Sequence, residues 1–172
     1  MTATVVEARA TPKGILILSI VSACGCNCVF CGLPDSRPHT VLSRSSLVTA
    51  LEGAETGCWQ EVNITGGDPL VIPAARRLFP ERLARRDRFA RLSVSTAGVP
   101  ATAALAGLDA LTGMPALDIY VSLDGVGRLH DRVRRREGAF AEVSAFLAAA
   151  RLREGVTIAL SLAIRPHPRP RP

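Results

Sequence analysis

The chain has 172 residues and 18.2 kDa, 48% hydrophobic and 21% charged, with a mean hydropathy of +0.23; this is the balance of a folded domain, and at this length one core is buried rather than two. The net charge of +6 does not point to nucleic acid: 20 of the 21 basic residues are Arg, spread along the chain beside the single Lys13, and aromatics at 4% leave few platforms for stacking bases. No apolar run approaches the roughly 20 residues that a membrane span needs.

Residues 1–13 read as an N-terminal extension to a core at 14–164. Gly14–Val21 (GILILSIV) is a continuous leucine and β-branched run, the pattern of a strand buried on both faces, and it ends in a cysteine-rich loop. Ser43 is an N-cap for a helix in which Leu47, Val48, Leu51 and Ala54 recur at helical spacing before Gly57. Glu61–Thr65 then forms a strand running into Gly66-Gly67-Asp68-Pro69. Ile72–Arg86 reads as one helix with Pro73 near its start, Arg91–Thr96 as a strand, Ala101–Leu111 as a helix and Leu117–Leu123 as a fourth strand. Gly138–Arg153 is a helix with Phe140, Val143, Phe146 and Leu147 on one side, and Val156–Ile164 a fifth strand.

Strands separated by single helices pair in parallel through right-handed crossovers, so the fold class is α/β. Five units do not close an eight-stranded barrel; the expectation is a partial, open (β/α) TIM-like barrel. The tail at 165–172 alternates Pro with other residues, and missing amide donors keep it from adding a strand. The tail therefore reads as a solvated extended end or as the sign of a truncated or frame-shifted product, and either way one sheet edge is left open.

Five cysteines, an odd number, close no disulfide framework, and four of them fall between Cys24 and Cys31. Cys24, Cys28 and Cys31 stand as C-x3-C-x2-C just after the first strand, where parallel folds place their sites. Three thiolates so spaced can hold one cuboidal iron-sulfur cluster and leave one iron open. Zinc on the same three, with Cys26, His39 or Cys58 as a fourth ligand, is a second reading, although the second knuckle of a zinc ribbon is missing. Lipidation of Cys24 after the apolar run Ile15–Val21 is a third, and it leaves the other cysteines unexplained.

C-x3-C-x2-C with Phe30 just before the last cysteine resembles the signature of the radical S-adenosylmethionine (SAM) superfamily. Thr65-Gly66-Gly67-Asp68-Pro69-Leu70 resembles that family's second motif, which usually carries Glu where Asp68 stands. Ser122-Leu123-Asp124-Gly125, then His130-Asp131 and Arg134 before Gly138-Ala139-Phe140, resemble the subgroup of peptide-modifying and sulfatase-maturing enzymes. The resemblance spans about residues 13–164 with the motifs in order.

The resemblance implies a [4Fe-4S] cluster on Cys24, Cys28 and Cys31, with SAM chelating the open iron through its amino nitrogen and carboxylate. Reductive cleavage of SAM would give a 5′-deoxyadenosyl radical that abstracts hydrogen from a substrate, in this subgroup a peptide or protein. It also implies an electron donor such as a flavodoxin or ferredoxin. Phe30, Gly66, Gly67, Asp68 and Pro69 would bound the SAM site, and Ser122, Asp124 and Arg134 would face its ribose and carboxylate. Two departures stand out: Thr96-Ala97-Gly98 replaces the family's Thr-Asn-Gly, and Thr157–Leu162 lacks the glycine pattern that admits adenine.

Plainer readings exist for the same residues. Gly66-Gly67-Asp68-Pro69 is on its own a turn string, and Ser122 and Asp124 are able to cap the following segment. His130 and Asp131 orient Arg134 or cap a helix, and the arginines at 132, 134, 135 and 136 form a solvated face. Cys26 and Cys58 are read as non-ligands. Reduced thiols and an oxygen-sensitive cluster suit a cytoplasmic setting. The rival to a turning-over enzyme is a cluster- or SAM-binding module without catalysis, or a zinc-binding structural protein.

Overall fold

A computed structural model describes residues 13–33, 39–57, 59–83, 88–89, 91–111 and 116–163. The N-terminal extension, the Pro/Arg tail and Cys58 lie outside the described residues, apart from Lys13. Five strands, β1 (Lys13–Val21), β2 (Trp59–Gly66), β3 (Arg91–Thr96), β4 (Leu117–Ser122) and β5 (Val156–Ser161), form one parallel sheet in sequential order. Sequential order means that every crossover runs the same way. Right-handedness then puts the connecting helices on one face, as in a stretch of (β/α) barrel.

The two faces differ in chemistry because side chains alternate. Ile20, Val62, Ile64, Leu92, Val94, Leu117, Ile119 and Val121 are buried on the helix side, at the centre of the apolar core. The opposite face carries Glu61, Asn63, Ser93, Ser95, Tyr120 and Ser122. β1 is not buried on both faces as its composition suggested: Ile15 and Ile17 are 50% and 64% exposed. Among the described residues β1 is an edge strand, and its polar-side face has no second layer over it. The apolar run is paired with β2 from Lys13 to Val21.

α1 (Arg44–Thr56) starts where the sequence places it. The Ser43 hydroxyl accepts from the Ser46 amide, Leu47, Leu51 and Ala54 are buried, and the Gly57 N–H closes on Gly53 O. The single helix expected at 72–86 is instead α2 (Pro73–Arg76) and α3 (Phe79–Leu83), with 84–87 outside the described residues. Pro80 explains the break: it lacks an amide donor and its ring collides with the carbonyl four residues back, so a helix restarts there rather than continuing.

α4 (Ala101–Asp109) and α6 (Ala139–Ala150) pack side by side, tied by the Ala101 N–H to Glu142 Oε2 at 2.8 Å. Phe146 of α6 is fully buried beneath Gly98, whose φ of +68° and contact with the Phe146 ring leave no room for a side chain. α5 (Arg128–Arg134) was not expected as a helix. Its seven residues are too few for an apolar period to show, and Arg135 ends it in the left-handed region at φ 48°.

Removing Phe146 opens a cavity under Gly98 and between α4 and α6. Phe146→Ala is expected to cost about 3–5 kcal/mol of unfolding free energy. Urea unfolding checks this, and a loss below 1 kcal/mol would contradict the packing described.

Candidate iron-sulfur and SAM site

The chain leaving β1 makes a loop over residues 22–33 that three neighbours hold. At its start, Gly67 N donates to Val21 O at 2.6 Å and Asp68 N to Ala23 O at 2.8 Å. On one flank Gly25 lies so close to Val99 O that a Cβ there would collide with it. On the other, the end of α5 accepts two loop amides, Val29 N to Val133 O at 2.9 Å and Asn27 N to Arg134 O at 3.2 Å, while Arg136 Nη1 donates to Gly25 O at 2.7 Å. The following segment returns to β1 through Ser22 N to Thr40 O and Leu42 N to Ile20 O.

The loop opens on a cavity at the carboxyl ends of the strands. Cys24, Cys28 and Cys31 line it with Phe30, Gly66, Gly67, Ser122 and Arg134. Cys28 is buried, Cys24 half-buried and Cys31 exposed. N–H donors already face two of the sulfurs: Arg134 Nη1 stands 3.3 Å from Cys28 Sγ, and Leu33 N 3.4 Å from Cys31 Sγ. Among the described residues no three Cys, His, Asp or Glu side chains gather tightly enough to share one metal ion. A [4Fe-4S] cluster takes one protein sulfur per iron, so thiols around one open cavity, two of them with N–H donors, fit that group.

Cys26, read as a non-ligand, lines the same cavity. Its hydrogen bond to Cys24 holds the Cys24 thiol below its ordinary value and pushes Cys26 up. Burial pushes Cys28 up, with the Arg134 charge and N–H pulling the other way. His39 is exposed and does not line the cavity.

The glycine pair serves packing as well as access. A Cβ on Gly66 would strike Val21 O and one on Gly67 would strike Ala23 O, so the space saved is filled by this protein's own backbone. Pro69 is buried and, like Asp68 and Asp124, is not part of the cavity wall. Asp68 is fully buried. Its carboxylate accepts from Leu70 N at 3.1 Å, Val71 N at 3.3 Å, Thr96 Oγ1 at 2.9 Å and Ala97 N at 2.8 Å. It thus ties the turn after β2 to the end of β3.

Asp124 lies behind Ser122. Its Oδ1 accepts from Ala163 N at 3.0 Å, its Oδ2 lies 2.7 Å from Arg134 Nε, and its N–H donates to His130 Nδ1 at 3.1 Å. An Nδ1 that accepts puts the His130 proton on Nε2. Burial first, and then the Arg134 charge, hold His130 below its usual value, against the pull of Asp124 and Asp131. Asp131 caps α6 across the loop, accepting from Gly138 N at 3.1 Å and Phe140 N at 2.8 Å. The arginine run is therefore split: residues 132 and 135 are exposed, Arg134 is 6% exposed, and Arg136 is half-buried on the cysteine loop. Its even charge hid that, because only the distant loop distinguishes the members.

A sequential parallel sheet whose site crowns the strand ends, with a cysteine loop after the first strand, defines a (β/α)-type cofactor-binding core. The sequence matches the Radical SAM superfamily over residues 18–162, and the chain belongs to that family. The fold is similar to Streptococcus suis SuiB bound to S-adenosylmethionine (TM-score 0.58, 16% identity, 76% of this chain and 29% of that one) and to SuiB bound to precursor peptide SuiA (0.62, 15%, 86% and 32%). It is also similar to the radical S-adenosylmethionine methyltransferase TsrM from Kitasatospora setae, with cobalamin and [4Fe-4S] cluster bound (0.57, 18%, 87% and 30%). The chain spans about 30% of the length of these solved chains. No curated protein matches the sequence.

Burial raises the Asp68 carboxyl from 3.8 to about 6, against the pull of its donors. A folded-state value above the unfolded one means that its contribution to stability is full below about pH 4 and is lost as pH rises through about 6. The stability advantage of wild type over Asp68→Asn should therefore shrink between pH 4 and 6.5 by up to about 3 kcal/mol, at roughly 1.4 kcal/mol per pKa unit. Urea unfolding at both pH values checks this; an advantage that grows with pH would contradict it.

Proposed function

We propose that this chain is the core of a radical SAM enzyme, with Cys24, Cys28 and Cys31 holding a [4Fe-4S] cluster and SAM bound beside it. The observation that carries the reading is that these three cysteines, Gly66, Gly67 and Ser122 border one cavity at the carboxyl ends of β1, β2 and β4. When bound, the cluster and SAM supply one-electron cleavage of the sulfonium to methionine and a 5′-deoxyadenosyl radical that takes hydrogen from substrate.

The chain's own residues position and shield that chemistry. Gly66 and Gly67 bring their backbone to the wall by packing against Val21 and Ala23, and the Ser122 hydroxyl at the same wall is a hydrogen-bond partner for SAM. Asp68, Pro69 and Asp124 act from behind: they fix the turn after β2 and the end of β4 rather than touching ligand. Phe30, 40% exposed at the cavity mouth, covers the approach to Cys31.

The substrate class we favour is a peptide or protein. The peptide-modifying pattern from Ser122 to Phe140 and the fold likeness to SuiB, solved with its precursor peptide, support it. The electron would come from a small flavodoxin- or ferredoxin-type donor. Among the described residues no helix is long and apolar enough to cross a membrane. An oxygen-sensitive cluster on free thiols suits the reducing cytoplasm.

Electron paramagnetic resonance of anaerobically reconstituted, dithionite-reduced protein tests the reading. A [4Fe-4S] signal that changes on adding SAM, together with 5′-deoxyadenosine formation, is expected. A full cluster indifferent to SAM would leave only a cluster-binding module, and zinc without iron or sulfide would replace the reading altogether.

The ligand assignment has its own test in iron and sulfide content. Cys24→Ala, Cys28→Ala and Cys31→Ala should each lose the cluster, whereas Cys26→Ala and Cys58→Ala should keep it. Loss in Cys26→Ala with retention in Cys24→Ala would move the ligand set by two residues.

A further inference from the structure

Arg134 is the last residue of α5, and its guanidinium meets three groups. Nη1 donates to Cys28 Sγ at 3.3 Å, Nε lies 2.7 Å from Asp124 Oδ2, and Cζ sits 5.6 Å from the centroid of the Phe30 ring. The Arg134 and Asp124 side chains are 7% and 1% exposed. A charge so deeply placed costs several kcal/mol unless it is paired and hydrogen-bonded, and Asp124 is its counterion. Asp124 is in turn immobilised, with Ala163 N on its other oxygen and His130 Nδ1 on its own N–H.

The pairing decides what reaches Cys28. The carboxylate offsets the guanidinium charge at long range, while at 3.3 Å the sulfur meets both the nearby positive group and its directed N–H. Phe30 on one face and the ion pair with Asp124 at one end confine the guanidinium, and the Arg134 carbonyl holds the loop through Asn27 N at 3.2 Å. An N–H aimed at a ligating thiolate draws electron density from it and favours the more negative, reduced state of a cluster.

We infer that Arg134 is a positioning residue for the ligand Cys28: clamped by Asp124 and Phe30, it donates to the Cys28 sulfur and raises the reduction potential of the cluster. This assigns its guanidinium to the protein's own sulfur rather than to the carboxylate of SAM. It rests on the cluster reading above, and SAM is left out of its test so that the two fail separately.

The experiment is an EPR-monitored redox titration of the anaerobically reconstituted chain without SAM, after iron and sulfide analysis. Arg134→Met keeps the apolar stem and loses the donors. At a fixed ambient potential, its ratio of reduced to oxidised cluster should fall about tenfold relative to wild type, a shift of about 59 mV for one electron. Arg134→Lys keeps the charge but cannot serve Asp124 and Cys28 with one planar fork, and should fall between the two. Arg136→Met removes the contact to Gly25 O without touching a sulfur and should titrate like wild type.

A full cluster at wild-type potential in Arg134→Met overturns the inference, as does an equal shift in Arg136→Met, which would indicate general loosening of the loop. Should Arg134→Met lose its cluster, Arg134→Lys decides: a lowered potential supports the inference, and a wild-type potential or a second loss overturns it. A wild type with no cluster would fail the functional reading first. A wild type whose cluster ignores SAM would fail that reading while leaving the role of Arg134 measurable.

Discussion

The site hangs on how closely the turn after β2 approaches the chain leaving β1. Gly66 and Gly67 bring two peptide planes against the carbonyls of Val21 and Ala23, closer than any Cβ permits, and Gly67 N and Asp68 N bond across that contact at 2.6 and 2.8 Å. Cys24 follows Ala23 directly. The distance from the first cysteine to the β2 turn is therefore set by main chain on both sides, the least deformable kind of contact, and not by side-chain packing that relaxes. Once that seam is fixed, Asp68 carries it sideways to β3 through Thr96 and Ala97.

Beneath the seam the sheet presents polar rather than apolar chemistry. Glu61 accepts from Ser93 Oγ at 2.5 Å and from Tyr120 OH at 3.4 Å, Asn63 Nδ2 donates to Ser93 Oγ at 2.8 Å, and Ser95 Oγ donates to Asn63 Oδ1 at 3.0 Å. These residues share one face because the registers pair Asn63 with Ser93 and Ser95 with Tyr120. The same alternation carried one step further puts Thr65, Ser95 and Ser122 in the cavity wall. The site is thus the top layer of a hydrogen-bonded floor. Satisfied buried polar groups hold strands in a single register more strictly than apolar contacts do, since a slip would leave each of them unpaired.

How much of this the sequence discloses follows from how local each cause is. β3 and the start of α1 were legible to the residue, because alternation, Ser43 and the glycine stop act within a few positions. The break between α2 and α3 was also written locally, in Pro80, and was outweighed by the apolar period around it. α5 was not legible as a helix, and neither was the division of the arginine run. What selects Arg134 and Arg136 from their neighbours is the cysteine loop, more than 100 positions away in the chain. That Cys24, Cys28 and Cys31 border one cavity was expected from their spacing taken together with the glycine motif and the order of elements, whereas the inward turn of Asp68 was not, because a carboxylate in a glycine-rich turn looks alike whether it meets a ligand or a distant strand end.

Two departures from the family pattern, Asp68 where Glu is usual and Ala97 where Asn is usual, are separate in sequence and adjacent in space. Ala97 N lies 2.8 Å from Asp68 Oδ2, and Thr96 Oγ1 bonds both carboxylate oxygens. Asp68 has no exposed surface, so an extra methylene would force the β2 turn away from β3 or strain the rotamer. Ala97 is itself buried at 6% exposure and stands in the cavity wall. The shorter acid and the smaller neighbour thus meet at one point, where a carboxylate ties the β2 turn to the end of β3. On its cavity side Ala97 stands beside Thr65, Ser95, Ser122, Gly66 and Gly67, so the polar groups of the wall lie around it rather than on it.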